Sequence, residues 1–463
     1  MTLKKAVLSF KETYAQAMAV TAPLGSVVST TTAAIAYAGS SVVFTTLLSL
    51  VASALWIYTL SMYTKKLASA GGYYSFNYGA WRSKKLAFIE ALTESVAYIL
   101  LNVVNILAIY FILSISFQLL NITLPSWILY VGVIISIIYP TLISFTHIKK
   151  LLGYIVTISA TAEAILLISL FALSLSNGIH FDYIIPKFKS VGDLAIAFVL
   201  TTVSISGAGA ATYLGEETKK PNENVTKGMW LALVIGGISM FLGTYGLIAL
   251  WPGSLSSLAN SYQPLFVEMI RYGSLGFMIA LILSINSLLT SNIGTTIGAA
   301  RVLYNLAREK AAPAFFIKVN SSGEPILATA IVGIITALIA AFSIQFLGFE
   351  GAFTEIAAVE GILWLLGRIL DGFGAPVFYW RIGDLKIRYI IIPIVATTIN
   401  SWGTIQSMLS MDYVQFIMLS IFSVLVISWY MLKANKGNPG SLVVDENNQV
   451  INIDEYLKRI VAK

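Results

Sequence analysis

Apolar runs long enough to cross a lipid bilayer recur along nearly the whole chain, and they restrict its fold more than any other feature. A hydrocarbon core about 30 Å thick is spanned by about 20 helical residues at 1.5 Å per residue. Twelve runs meet that requirement, at 14–38, 41–64, 87–118, 126–147, 150–176, 192–216, 226–250, 273–306, 325–347, 352–371, 388–409 and 412–432. A soluble domain has no use for so many. The composition agrees, with 57% hydrophobic residues, 11% charged residues and a mean hydropathy of +0.82. The spacing therefore predicts an all-α membrane protein of twelve transmembrane helices, preceded by segment 1–13 and followed by a polar tail at 433–463.

Charge orients the spans. Loops on one side carry Lys65, Lys66, Arg82, Lys84, Lys85, Lys149, Lys150, Lys219, Lys220, Lys227, Arg308, Lys310, Lys318, Arg381, Lys386 and Arg388, while the opposite loops carry Lys187, Lys189 and Arg271. Basic loops face the cytoplasm, so both termini are expected there, in a multi-pass protein of the cell membrane. Lys4, Lys5 and Lys11 precede a long apolar segment without a small-residue cleavage site, which reads as a retained span and not a signal peptide. In the tail, Val443-Val444 and Val450-Ile451 flank Asp445–Asn448 like a hairpin, and Asp454 is placed to cap a short amphipathic helix.

Several function classes drop out. The net charge of +7 sits in loops between spans, which argues against nucleic acid. There is no cysteine, and His147 and His180 are far apart, so no thiolate or zinc cluster is expected. No nucleophile–base spacing and no phosphate-binding loop occurs, so neither an enzyme, nor a cofactor, nor ATP as energy source is indicated. Nothing in the sequence specifies an oligomeric state.

Two spans are interrupted near their centres. In 192–216, Ser206-Gly207-Ala208-Gly209 breaks an apolar, β-branched stretch. In 14–38, Val20-Thr21-Ala22-Pro23-Leu24-Gly25-Ser26 places a proline and a glycine at mid-depth. Each has a plain alternative, a close helix–helix approach for the first and an ordinary proline kink for the second. Paired interruptions five spans apart instead point to a transporter site, where broken ends offer N–H groups to a carboxylate and C=O groups to an ammonium. The two breaks are expected to face each other across a polar cavity.

Four motifs, APLGSVVSTT in the first span, SAGGYYSF (69–76), SGAGAATYLGEETKKP (206–221) and GAARVLYNLAREKAAP (298–313), give the chain a resemblance to the amino acid–polyamine–organocation permeases. The resemblance covers about 14–432. It implies a 5+5 inverted repeat, spans 1–5 at 14–176 and spans 6–10 at 192–371, with two further helices at 388–432. It implies a substrate held between the broken spans by Ala22, Pro23, Leu24, Gly25, Ser26, Val203, Ser206, Gly207, Ala208 and Gly209. The family usually carries a bulky–acidic pair after the glycine of the second break, where this chain has Ala208-Gly209.

Other polar residues lie deep in spans. Glu90, Glu94, Tyr98, Asn102 and Asn105 share one face of the third span. Glu90 and Glu94 are expected to be interfacial partners of Lys84 and Lys85, while Tyr98 and Asn102 either line the pathway or join helices by hydrogen bonds. Glu163 stands alone in span five, where a carboxylate costs about 3 kcal/mol or more. In the resemblance it aligns with an ionisable residue beside the first break in some proton-coupled members. Span ten holds Glu355, Glu360, Arg368 and Asp371, with Glu360 deep and Arg368 a possible partner for it. Span eight holds Asn286-Ser287 and Thr290-Ser291-Asn292, whose hydroxyls, Thr290 and Ser291 above all, suit a small cation together with first-span carbonyls, against the plain reading that such hydroxyls bond back to their own helix. The leading reading is a secondary transporter of an amino acid or small amine, proton-coupled through Glu163 with Glu360 as a second ion-coupling candidate. Exchange, sodium coupling through Thr290 and Ser291, and a ligand-binding sensor are the alternatives.

Overall fold

The computed structural model describes residues 2–123, 125, 127–187 and 190–461; Lys189 lies outside them. The chain is almost entirely helical. A capping box starts α1 (Phe10–Thr21): Lys11 N–H donates to Ser9 Oγ and Ser9 N–H donates to Glu12 Oε2. It stops at Ala22, whose left-handed backbone (φ 38°, ψ 69°) precedes Pro23. The chain resumes as α2 (Pro23–Ser26), widens into a π-helical turn over Val27–Thr31, and continues as α3 (Thr32–Ala38). Gly39, at φ 55°, turns it into α4 (Val42–Thr64), and α5 (Tyr73–Trp81) follows. Ser83 caps α6 (Lys84–Leu119), which is followed by α7 (Trp127–Ile143), α8 (Ile148–Lys150) and α9 (Thr157–Ser174).

The second half opens with α10 (Val191–Ile205), which passes directly into a 3-10 helix, Ser206–Leu214. Then come α11 (Pro221–Ala232), α12 (Ile238–Leu250), α13 (Leu255–Ala259), α14 (Pro264–Met269) and α15 (Gly273–Arg308). The 56-residue α16 (Ile326–Arg381) is bent at Gly348, whose φ of 70° and ψ of 178° are not helical. Its successors are α17 (Arg388–Leu409) and α18 (Tyr413–Leu432). Strands Leu442–Val444 and Val450–Asn452 pair antiparallel, and α19 (Ile453–Val461) ends the described chain. Asp454 lies inside the first turn of α19; the side chain that accepts a terminal N–H is that of Asn452 (2.8 Å), one residue before the helix.

Among the described residues, eight helical stretches are long and apolar enough to cross a membrane. Two of them, Phe10–Thr64 and Ile326–Arg381, have 55 and 56 residues, far more than the about 20 that one crossing needs. One large apolar core joins α1, α4, α6, α10, α15 and α16, while α18 leaves Phe416, Ile421, Val424 and Leu425 exposed, as suits a surface against lipid. Leu8 pairs alongside Thr218, and Tyr456 Oη donates to the Lys66 carbonyl, so both terminal segments dock at the same end of the molecule.

Candidate functional site

The first break is organised by what Pro23 removes. Ala22 N–H still closes onto Met18 C=O (2.7 Å), but the next N–H groups have lost their helical partners. Gly25 N–H donates to Ser287 Oγ of α15 (2.8 Å), and Leu24 N–H points at Glu163 Oε2 of α9 (3.4 Å). Ser287 Oγ–H in turn donates to Glu163 Oε2 (2.5 Å), and Ser159 Oγ–H to Oε1 (2.6 Å). Glu163 is 2% exposed. A single carboxyl group thus collects two hydroxyls and a freed backbone N–H at the break.

The second break is tighter than free backbone. The 3-10 helix keeps Ser206–Leu214 hydrogen-bonded, and Ser206, Gly207, Ala208 and Gly209 are all buried, as is Val203. A β-carbon on Gly207 would lie 2.5 Å from Thr21 N and 2.6 Å from Val20 C, so the two breaks touch. At that point the two breaks pack directly against each other, with no space between Gly207 and Val20–Thr21. On the side of this contact away from the termini, Ser204 Oγ bonds Thr30 Oγ1 (2.5 Å) and Thr31 Oγ1 (3.2 Å). Ser206 is held from α16, where Trp364 Nε1 donates to its hydroxyl (3.0 Å) and Arg368 Nη2 to its carbonyl (3.4 Å).

Ser26 Oγ–H caps the Thr21 carbonyl (2.7 Å). Tyr98 is buried against Trp364 (5.2 Å between rings) and Tyr213 (5.7 Å), close to the second break. Asn102 joins helices: it accepts from Thr295 Oγ1 and donates to Thr296 Oγ1 (3.3 Å) on α15. Ser291 accepts from Asn105 Nδ2 (3.0 Å), and no hydrogen bond links it or Thr290 to the first break among the described residues. Ser287, one turn earlier on α15, occupies that position.

Glu90 and Glu94 are not interfacial. Both are 1% exposed, whereas Lys84 and Lys85 lie in the open. The face of α6 that carries them is covered by α16, and Gly367 leaves room for Glu90, since a β-carbon there would lie 2.7 Å from Oε1. Glu360, 0% exposed, makes no salt bridge with Arg368, whose guanidinium lies over Trp364 (4.9 Å) and Trp56 (5.6 Å).

The end bearing both termini is sealed by buried ion pairs. Arg301 donates to Glu217 (2.6 and 2.9 Å) and Glu324 (3.0 Å), and Arg308 to Glu216 (3.1 and 2.7 Å). The Glu217 carbonyl accepts from Val7 and Leu8 N–H, which straps the N-terminal segment across this seal. Glu309 accepts from Tyr74 Oη and from Gly440 and Leu442 N–H, each at 3.0 Å, and so fastens the C-terminal tail beside it. At the opposite end a cleft of about 560 Å³ opens among Tyr110, Phe111, Tyr262, Gln263, Phe349 and Glu350, and Gln263 Nε2 reaches the Val28 carbonyl (3.0 Å).

Residues 9–434 match the family model described as amino acid permease. The chain belongs to the amino acid permease family. It is 25% identical over 276 residues to an uncharacterised amino-acid permease of Schizosaccharomyces pombe, covering 54% of this chain and 51% of that one. It is also 25% identical over 211 residues to an uncharacterised protein of Methanocaldococcus jannaschii, covering 43% and 46%. The chain spans about half the length of these curated relatives. The family is one of multi-pass membrane transporters and not of enzymes. In this permease, Glu216 and Glu217 of the EETKKP segment and Arg301 and Arg308 of GAARVLYNLAREKAAP supply the paired acids and arginines of the terminal-end seal, with Glu324 added from outside the motifs. Sequence reading used them as family marks and missed that role, although the excess of acid beside a basic loop was a signal.

Proposed function

We propose that this permease is a secondary active transporter of an amino acid or related small amine, working by alternating access with proton coupling at Glu163. The observation that carries the reading is the Glu163 carboxyl at the N–H groups freed by the first break. A proton on that carboxyl or a substrate at the neighbouring backbone changes the same hydrogen-bond set, which links the two events. The bends at Gly39 and Gly348 support counting Phe10–Thr64 and Ile326–Arg381 as two crossings each, and with the proline-bearing α7 and α17 the tally reaches twelve. We read 14–176 and 192–371 as inverted repeats, 388–432 as added spans, and the sealed terminal end as cytoplasmic, following the basic loops.

In this reading the substrate's carboxylate and ammonium are met by backbone at Ala22–Ser26 and Ser206–Gly209, once the contact of Gly207 with Val20–Thr21 parts. The open cleft and the sealed terminal end fit a state closed to the cytoplasm. Ala208 stands where the family usually carries a bulky residue, so in the opened site Ala208→Phe should exclude large amino acids before glycine-sized ones. Uptake of a panel of radiolabelled amino acids and amines into proteoliposomes, with and without an inward proton gradient, tests the proposal. Binding without uptake of any member would favour a sensor, and uptake that follows sodium and ignores pH would remove Glu163 from the coupling role.

A further inference from the structure

A second group of buried ionisable side chains lies beside the Ser206 break and takes no part in the Glu163 site. At its centre is Arg368, 1% exposed, whose Nε and Nη1 donate to nothing among the described residues. Glu90 of α6 packs against Gly367, the residue before Arg368; Glu94 lies one turn further along α6, and Glu360 about two turns before Arg368 on its own helix. Asp371, near Arg368 on α16, faces Glu90, Glu94 and the Asn77 amide. All four carboxyls are at most 1% exposed. The oxygens of Glu90, Glu94 and Glu360 make no hydrogen bond of ordinary geometry, although the Tyr98 and Tyr213 phenols point toward Glu94. Tyr63 of α4 and Tyr73 of α5 complete the surround. Among the described residues, Arg368 is the basic side chain that acts on Glu90, Glu94 and Glu360, while Asp371 lies one turn beyond it on α16.

The charge count is four carboxyls to one guanidinium, so full ionisation would leave three negative charges in a dry shell. An uncompensated buried charge is strongly disfavoured and must be neutralised by a counter-charge or a proton. No set of three or more acidic or histidine side chains among the described residues is arranged to hold a metal ion. A proton neutralises a carboxyl without needing a coordination shell around it.

We propose that Glu90, Glu94, Glu360 and Asp371 around Arg368 form a proton-binding site, separate from Glu163, that loads as α16 closes on the Ser206 break and unloads as that interface opens. Loading in the closed state follows from burial alone; the opening step rests on the transporter reading. The helix that carries Glu360 and Asp371 also grips the break, through Trp364 to the Ser206 hydroxyl and Arg368 to its carbonyl. Parting those bonds admits water, lets the carboxyls ionise, and frees Arg368 to pair with them. Closing again requires the protons back.

Infrared spectra of the reconstituted full-length protein in H2O and D2O read protonated carboxyls directly through their C=O stretch. At neutral pH the wild type should show a protonated-carboxyl band that Glu94→Gln and Glu360→Gln each reduce, and that Glu163→Gln does not remove. An identical band in wild type and in the double variant E94Q/E360Q would overturn the site. For opening, the absence of native cysteine allows a single Ala210→Cys reporter on the buried 3-10 helix. Its maleimide labelling is compared with that of the same reporter in the E94Q/E360Q background at each pH, which cancels the thiol's own titration. The wild-type background should label several-fold faster relative to the double variant as pH rises; a constant ratio would overturn the release step. Correct infrared behaviour with no transported amino acid would sink the transporter reading and leave the proton site standing.

Discussion

Two assemblies of buried charge in this permease differ in how completely they are paired. At the terminal end, Arg301 and Arg308 meet Glu216, Glu217 and Glu324 through hydrogen bonds of 2.6 to 3.1 Å. Beside the Ser206 break, Arg368 stands among Glu90, Glu94 and Glu360, with Asp371 one turn on, and bonds only a carbonyl, at 3.4 Å. Forked guanidinium–carboxylate bonds are strong and directional, so the first assembly suits a seal with one stable geometry. The second has acids in excess and donors unspent, and so it suits a region whose charge changes. The contrast separates a structural lock from a titrating site by stoichiometry and geometry, where burial alone would rank the two as equals.

Breaking the lock should have the largest effect. Arg301→Ala leaves Glu217 and Glu324 buried without their partner, at a cost of about 3–5 kcal/mol. Thermal unfolding of the purified variant should shift strongly downward, and an unchanged midpoint would show that water already reaches the pair. Gly207→Ala comes next, since the added β-carbon meets Thr21 N at 2.5 Å. Overpacking there should cost about 1–3 kcal/mol and abolish uptake while leaving a folded protein.

The tail offers a pH test outside the membrane. Burial in the docked state pushes the Glu309 carboxyl up to about 7, against the hydrogen bonds from Gly440, Leu442 and Tyr74 and the nearby Arg308 charge, which favour ionisation. Because the docked group binds its proton more tightly than the released one, docking is favoured in acid and loses that contribution as pH rises through about 7. Protease cleavage within 436–450 should therefore speed up on the alkaline side, and Glu309→Gln should flatten the profile. The smallest effect is expected at the exposed Lys227–Glu223 pair on α11. Lys227→Ala should change stability by about 0.5 kcal/mol or less.

How much of this was legible follows the range of each cause. Pro23 removes a donor and clashes with the preceding turn, so the first break was readable within residues 20–26, and it falls at Ala22. At Ser206–Gly209 the break and the close-packing readings proved compatible: the helix tightens to 3-10, and Gly207 is small because Val20–Thr21 lies against it. Glu90 and Glu94 were misread because Lys84 and Lys85 are neighbours in sequence, while the covering helix α16 is remote. Span eight offered Ser287 beside Thr290 and Ser291, and composition does not say which of them meets the first break; Ser287 does. Glu309 reaches Gly440 across 131 residues, a contact no local pattern announces.

The account turns on Glu163 at the first break, and one transport measurement addresses it. Wild type and Glu163→Gln, reconstituted in proteoliposomes, are compared for uptake of a transported radiolabelled amino acid under an inward proton gradient and for exchange against the same amino acid inside. The substitution keeps the shape; its amide oxygen can accept from Ser287 and Leu24 as Oε2 does, while its NH2 faces Ser159, whose hydroxyl must turn to accept, and the titration is removed. Gradient-driven accumulation should be lost in the variant, with exchange retained. Accumulation in Glu163→Gln that still follows the proton gradient as in wild type would contradict the account.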